Sequence, residues 1–128
     1  MSTILVNTLT GTSTAGSIAV TGEGNSTTTN LQQGLAKTFS RSVADGTSLG
    51  DSFNISSLSD DGTALQTLSL TNNMSSANYA AHVTGTNSFG SMVSDSHATN
   101  NYRTVARRFS DGALFDDIAQ TSAVGDLA

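Results

Sequence analysis

The stretch DSFNISSLSDDGTALQTLSLTNNMSSANYAAHVTG, residues 51–85, carries the clearest pattern in this 128-residue chain. Its first part alternates apolar and polar residues, which is typical of a half-buried strand. Asp61-Gly62 interrupts the alternation, and Asp-Gly is one of the stronger signals for a β-hairpin turn. A second apolar run follows the turn, and Tyr79 and Val83 mark a third strand after a polar connection. The stretch therefore predicts an antiparallel β module.

The remainder of the chain repeats this pattern. The segment YRTVARRF, residues 102–109, is the clearest late strand, with Arg103 and Arg107 on one face and Tyr102 on the other, and Asp111-Gly112 behind it is a second hairpin signal. Several strands at roughly ten-residue spacing, separated by turn residues, favour an antiparallel β-sandwich or a small jelly-roll-like barrel. No long helical pattern alternates with these strands, so a parallel α/β sheet is not expected. We assign a β head domain to residues 51–128 on this basis.

The N-terminal part has a different character. Residues 3–9 and 17–21 are rich in β-branched and aliphatic side chains and predict two short strands. Two strands of this size are marginally stable alone, so they are expected to pair with another chain or a larger assembly. We therefore predict an extended arm that needs a partner.

A short helix is predicted at the end of this arm. Thr29 and Gln32 fit a capping box, and Leu31, Leu35 and Phe39 then fall at i, i+4 and i+8. The spacing predicts a helix of about three turns with a narrow apolar stripe. Residues 1–37 are thus assigned to an arm plus helix that serves attachment or oligomerisation, and residues 38–50 to a linker loop. The candidate oligomerisation residues are the apolar positions of this segment: Ile4, Val6, Ile18, Val20, Leu31, Leu35 and Phe39.

Composition narrows the class of partner. The chain has 10 acidic and 5 basic residues, a net charge of −5, which disfavours nucleic acid and anionic membranes as partners. No apolar run approaches the roughly 20 residues of a membrane span, so no membrane insertion is expected. The N-terminus lacks the features of a secretory signal, which predicts a protein made in a cytoplasm. With no cysteine, the chain has neither disulfides nor thiolate metal ligands.

Motifs that suggest catalysis are weak. Gly46 to Gly50 matches G-x-S-x-G with Ser48 as the nucleophile, and Asp95 and His97 follow in the order of a hydrolase triad. That chemistry needs a helix directly after the serine, whereas a strand pattern follows here. Neither histidine has metal-site spacing, and Asp116-Asp117 lacks the pattern of a calcium loop. We therefore predict no enzyme activity, no cofactor and no metal.

One basic spot is a candidate for surface binding. Arg103 and Arg107 share one face of the strand over residues 102–109 and are able to bind an anionic sugar or carboxylates. Tyr102 stands beside them in sequence. The candidate surface-binding residues are Tyr102, Arg103 and Arg107, and the alternative for the arginines is ion pairing with aspartates of the same chain.

Two stretches together carry a family resemblance. MSTILVNTLTGTSTAGSIAVTGEGNSTTTNLQQGLAK and DSFNISSLSDDGTALQTLSLTNNMSSANYA resemble the opening and the following β module of short structural, tail-fibre-like proteins of marine bacteriophages that infect cyanobacteria and abundant ocean heterotrophs. The closing strand ending in AVGD is also similar. The chain departs from that family after residues 35–37, where many members continue with a Trp-containing segment and this chain reads Thr38-Phe39-Ser40-Arg41.

The resemblance implies a function that the residues alone do not specify. It implies a homotrimeric virion protein without enzyme activity, attached through its N-terminal segment to other virion proteins of the capsid or tail. Two alternatives stay open. One is a capsid decoration or cement protein at local three-fold positions, and the other is a carbohydrate-binding receptor module for a host-surface glycan.

Overall fold

The fold is described from a computed structural model, which places residues 3–13, 18–21, 28–43, 47–86 and 90–128. The chain divides into two compact units, Met1–Leu35 and Ala36–Ala128, called here the N-terminal unit and the sandwich. Within the described ranges, no helix is both long and apolar enough to cross a membrane.

The N-terminal unit contains one small hairpin. Strand β1 (Ala19–Thr21) pairs antiparallel with β2 (Thr28–Asn30), and a single helical turn, α1 (Leu31–Gly34), follows. The N–H of Leu31 donates to the carbonyl of Ile18 at 2.8 Å and ties this turn to the start of β1. Residues 3–13 form no strand, so the strand predicted over residues 3–9 is wrong. β-Branched composition favours a strand only where a neighbouring strand supplies hydrogen bonds and packing.

The sandwich consists of two four-stranded antiparallel sheets. The first sheet has the order β4-β3-β10-β7, built from β3 (Ala36–Ser42), β4 (Leu49–Phe53), β7 (Ala80–Gly85) and β10 (Ala119–Val124). The second sheet has the order β5-β6-β9-β8, built from β5 (Ile55–Gly62), β6 (Leu65–Leu70), β8 (Gly90–Ala98) and β9 (Asn101–Arg108). The predicted mainly β, antiparallel fold is confirmed. The prediction left a sandwich and a small barrel open, and two separate sheets correspond to the sandwich.

Asn54 forms the corner between the two sheets. It is the only residue between β4 and β5, and its φ of 60° turns the chain from the first sheet into the second. Asparagine tolerates this left-handed conformation better than most residues. Its side chain is held at both ends, because Nδ2 donates to the carbonyls of Lys37 and Asn72 at 3.1 Å each and Oδ1 accepts the N–H of Asn72 at 2.7 Å.

The apolar core lies between the sheets and is small. One cluster of buried side chains comes from the second sheet, from the loop between β6 and β7, and from β10. Its members are Leu68, Leu70, Met74, Tyr79, Tyr102 and Ala123. The irregular leucine spacing in β6 has a simple cause. Gln66, Leu68 and Leu70 face inward, whereas Leu65 faces outward and aligns with Val105 of β9, which in turn aligns with Val93 of β8.

A second, smaller apolar cluster contains Ala64, Met92, Ala106 and Ala119. Buried hydroxyl groups of β3 and β10 also belong to the interior. Thr38, Ser40 and Ser42 of β3 are buried, while Phe39 and Arg41 between them are exposed. The Thr121 hydroxyl oxygen lies 2.7 Å from that of Ser40 and 2.6 Å from that of Tyr102. The hydroxyl of Ser42 accepts the N–H of Ala119 at 3.0 Å. These pairings satisfy polar groups that would otherwise be costly to bury.

Strand β3 corrects two sequence predictions. The predicted three-turn helix is only the single turn α1, and Phe39 lies on a strand. Residues 38–50 are not a linker loop, because they contain most of β3, which pairs with both β4 and β10, and the start of β4. A stripe at i, i+4 and i+8 also places every member on one face of a strand, so the spacing alone does not separate the two structures.

Candidate binding surfaces

The arginine face is the outer surface of the second sheet around Arg103. Arg103 binds Asp95 through two bonds, from Nε to Oδ1 and from Nη2 to Oδ2, both 2.9 Å long. The register of β8 shifts between Ser94 and Ser96, and this bulge places Asp95 beside the guanidinium. The bonds from Arg103 hold the pKa of Asp95 below its ordinary value, and Asp95 in turn raises the pKa of Arg103.

Arg107 lies further along the same face and is exposed. One of its terminal nitrogens donates to the carbonyl of Gly112 at 3.4 Å, and an isolated bridge joins Arg107 to Leu114. Phe109 and Leu114 nearby are exposed apolar side chains. The strand thus presents Arg103 and Arg107 outward, but Arg103 already has an intramolecular carboxylate partner.

Tyr102 is not a surface residue. Its side chain is fully buried, at 0% exposure, and its hydroxyl bonds Thr121 inside the sandwich. The prediction that Tyr102 belongs to a binding surface with Arg103 is therefore wrong. Neighbouring residues of a strand point to opposite faces, so an outward Arg103 requires an inward Tyr102.

The aromatic face is the outer surface of β3 and β4 in the first sheet, marked by Phe39 and Phe53. The two residues are directly opposite in the strand register, and their rings stack with centroids 6.0 Å apart and planes 22° apart. Phe39 is 45% and Phe53 is 53% exposed, although most aromatic surface in folded proteins is buried. Sequence reasoning missed Phe53 because it treated residues 53–58 as one straight strand, whereas the corner at Asn54 separates Phe53 from Ile55.

All but one of the candidate oligomerisation residues belong to the N-terminal unit. Ile4, Val6, Val20 and Leu35 are exposed, and Ile18 and Leu31 are partly buried. Ile4 is 84% and the adjacent Leu5 is 91% exposed. Phe39 belongs to the sandwich.

The catalytic motif does not have the required local structure. Ser48 is exposed and is followed by strand β4, whereas a nucleophile elbow needs a helix there. Gly46 of the motif lies outside the described residues. His97 is part of β8 and stacks on Tyr79 with ring centroids 4.8 Å apart. Strands β8 and β9 are joined by a tight two-residue turn at residues 99 and 100. Asp95 is engaged by Arg103.

The acidic pair also has structural roles. Asp117 is buried and its Oδ1 accepts the N–H of Ile118 at 2.7 Å and the Thr86 hydroxyl at 3.0 Å. Asp116 accepts the N–H of Ala64 at 2.7 Å. His82 is exposed on the outer surface of β7. Across the described ranges, no three His, Asp or Glu side chains are grouped closely enough to hold a metal ion.

Comparisons of the chain with protein-family models, with curated proteins and with solved structures find no match.

Proposed function

We propose that the chain is a bacteriophage virion structural protein, a homotrimeric tail-fibre-like or appendage subunit that attaches through its N-terminal unit and exposes its sandwich. The proposal takes its protein class from the resemblance of residues 1–37 and 51–80 to short structural proteins of marine phages. Its geometric support is the contrast between an N-terminal unit with outward apolar side chains and a sandwich with its own interior.

The observation that carries the proposal is the exposure of the N-terminal apolar side chains. Ile4, Leu5, Val6, Leu9 and Val20 are each more than half exposed. Covering apolar surface stabilises an assembly by about 25 cal/mol per Å². Contiguous exposed apolar surface is a common mark of a protein interface, and four of these side chains lie within residues 4–9. Contact with two further copies, or with another virion protein, would cover them.

The number of copies in purified particles tests this proposal and separates its two forms. The virus that encodes the chain is purified, and the protein is quantified by mass spectrometry against the major capsid protein. Tens of copies or fewer support a tail fibre or appendage, whereas hundreds support a capsid decoration protein at three-fold positions. Absence from purified particles would contradict both forms.

A glycan-binding function has no specific support from the arginine face. Tyr102 is buried and Arg103 is paired with Asp95. Arg107 is the remaining predicted residue with an exposed charge on this face.

A further inference from the structure

The aromatic face contains two rows that cross β3 and β4 side by side. In one row Phe39 is opposite Phe53, and in the next row Arg41 is opposite Asp51. All four side chains are exposed. Residues two positions apart on a strand are about 7 Å apart, so the aromatic row and the charged row belong to one continuous surface.

The charged row is not internally paired. In the part of the chain that the structure describes, the ion pair present joins Arg103 to Asp95, and Arg41 and Asp51 do not form one. The carboxylate of Asp51 accepts the N–H of Ser52 at 2.8 Å and keeps further lone pairs for a cation. A cation and an anion thus stand next to each other beside an apolar pair, and each can take a partner from outside.

This arrangement is complementary to itself. Consider a two-fold axis that lies above the aromatic face, parallel to the strands and over the line midway between β3 and β4. Rotation about this axis places β3 of one copy over β4 of the other. Phe39 then faces Phe53 of the second copy, and Arg41 faces Asp51 of the second copy, twice over. Isologous contacts of this kind need each patch to carry both members of every pair. We propose that the aromatic face binds the aromatic face of a second copy of this chain about such an axis.

The charges favour a second copy over other occupants. A partner whose surface has one sign of charge is attracted by one of Arg41 and Asp51 and repelled by the other. A second copy supplies both signs in the reciprocal order, so both pairs are satisfied together. The same face of a second copy also supplies two aromatic rings for the offset stacking that Phe39 and Phe53 already show within one chain.

The size of the contact sets its strength. Two strands are about 10 Å wide and their five to seven residues about 20 Å long, so the covered patch is well below the roughly 800 Å² per partner of a standard interface. The association is therefore weak and depends on concentration. The four residues of this contact all belong to the sandwich.

Sedimentation velocity of the full chain over about 10 µM to about 1 mM tests the proposal, because weak contacts form in this range. We expect the mass to rise at least two-fold relative to the species at the lowest concentration. Arg41→Asp places like charges opposite each other and should weaken this association at least about 10-fold. The exchange variant Arg41→Asp with Asp51→Arg restores both pairs and should recover association to within about 3-fold of the wild type.

Two controls separate the face from the fold and from the N-terminal unit. Phe53→Ser should abolish the concentration-dependent rise, whereas Val93→Ser, at a half-exposed position on the outer side of the second sheet, should leave it unchanged. Ile4→Ser with Val6→Ser should also leave the rise unchanged, even if it alters the smallest species. Thermal unfolding of each variant verifies that it is folded.

Three results would overturn the proposal. One is a wild-type mass that stays constant up to about 1 mM. The second is an association that Phe53→Ser does not affect, which would assign the contact to another surface such as the N-terminal unit. The third is a folded exchange variant that associates no better than Arg41→Asp, which would show that the charges are not paired across a two-fold axis.

Discussion

The two units of this chain treat their apolar side chains in opposite ways. The sandwich buries Leu68 and Tyr102 completely, whereas the N-terminal unit leaves Ile4 and Leu5 exposed. Both segments have β-branched and aliphatic residues, but among the described residues the sandwich has eight strands to enclose them and the N-terminal unit has two. Apolar composition alone therefore does not make a core. The sandwich supplies its own packing partners, and we infer that the N-terminal unit takes its partners from another chain.

Truncation of one apolar side chain in each unit gives the largest predicted contrast. Tyr102→Ala should lower the free energy of unfolding by about 3 to 5 kcal/mol, because it leaves a cavity and removes the partner of Thr121. Ile4→Ala should change the free energy of unfolding of the sandwich by less than about 0.5 kcal/mol, because Ile4 belongs to the N-terminal unit and not to the sandwich. Urea unfolding followed by circular dichroism measures both. Equal losses in the two variants would contradict the comparison.

Alkaline pH should destabilise the sandwich alone, because both tyrosines of the chain belong to it. Burial, with a smaller contribution from Tyr102, raises the pKa of Tyr79 from 10.0 to about 12. Its neutral hydroxyl donates to the carbonyls of Ala98 and Asn101 at 3.1 and 2.8 Å. The raised pKa means that this stabilisation is complete below pH 10 and is lost as the pH rises through about 12.

The direction of that loss follows from the pKa shift. Because the pKa of Tyr79 is higher in the folded chain than in the unfolded chain, part of the unfolding free energy should disappear over this range. Urea unfolding at a series of alkaline pH values measures it. Tyr79→Phe is the matched control: it should be less stable at neutral pH and should lack this part of the pH dependence. An identical alkaline decline in Tyr79→Phe would contradict the assignment.

Asn54 forms the corner through which the chain passes from β4 of the first sheet to β5 of the second sheet. Asn54→Ala should lower the unfolding free energy by about 2 to 3 kcal/mol, through strain at positive φ and the loss of bonds to Lys37 and Asn72. Asn54→Gly keeps the backbone conformation and should lose only about 1 to 2 kcal/mol. Thermal and urea unfolding compare the two variants. If glycine were as damaging as alanine, the conformational part of the argument would fail.

The buried hydroxyl groups of β3 and β10 are predicted to contribute least to the free energy of unfolding. Thr121→Val keeps the shape of the side chain but leaves the Ser40 hydroxyl without its partner. The Tyr102 hydroxyl then has only the longer contact of 3.5 Å to the Thr38 hydroxyl. The expected cost is about 1 to 2 kcal/mol. Ser122→Ala, at a partly exposed neighbour on the opposite face of β10, is the matched control and should have almost no effect. A stabilised Thr121→Val variant would mean that the buried hydroxyls are not paired as described.

The sequence predicted the class of fold because its strand signals are local. The strand predicted over residues 102–109 corresponds to β9, and the pairing of β5 with β6 agrees with the predicted hairpin. The second hairpin signal, Asp111-Gly112, does not join two paired strands, because β9 pairs with β6 and β8 whereas β10 pairs with β3 and β7. The turn between β5 and β6 is displaced from Asp61-Gly62 to Thr63 and Ala64, where Ala64 has a φ of 66°. Local patterns fix the presence of a hairpin more firmly than its register.

Strand β3 was not predictable in the same way. It has serine and threonine on its buried side and Phe39 on its exposed side, which is the reverse of the usual pattern. The tertiary partners Tyr102, Ala119 and Thr121, far away in sequence, make the buried hydroxyls acceptable. The error at Tyr102 has a local cause instead: neighbouring residues of a strand point to opposite faces, so Tyr102 and Arg103 cannot share one exposed surface.

We propose that the exposed apolar side chains of the N-terminal unit hold copies of the chain together. Light scattering of the full chain at low concentration tests it most directly, with the double variant Ile4→Ser and Val6→Ser beside it. We expect a wild-type mass of three times 13.1 kDa and a variant mass of 13.1 kDa, with unfolding of the sandwich unchanged. A wild-type monomer, or a variant that keeps the wild-type mass, would contradict the claim.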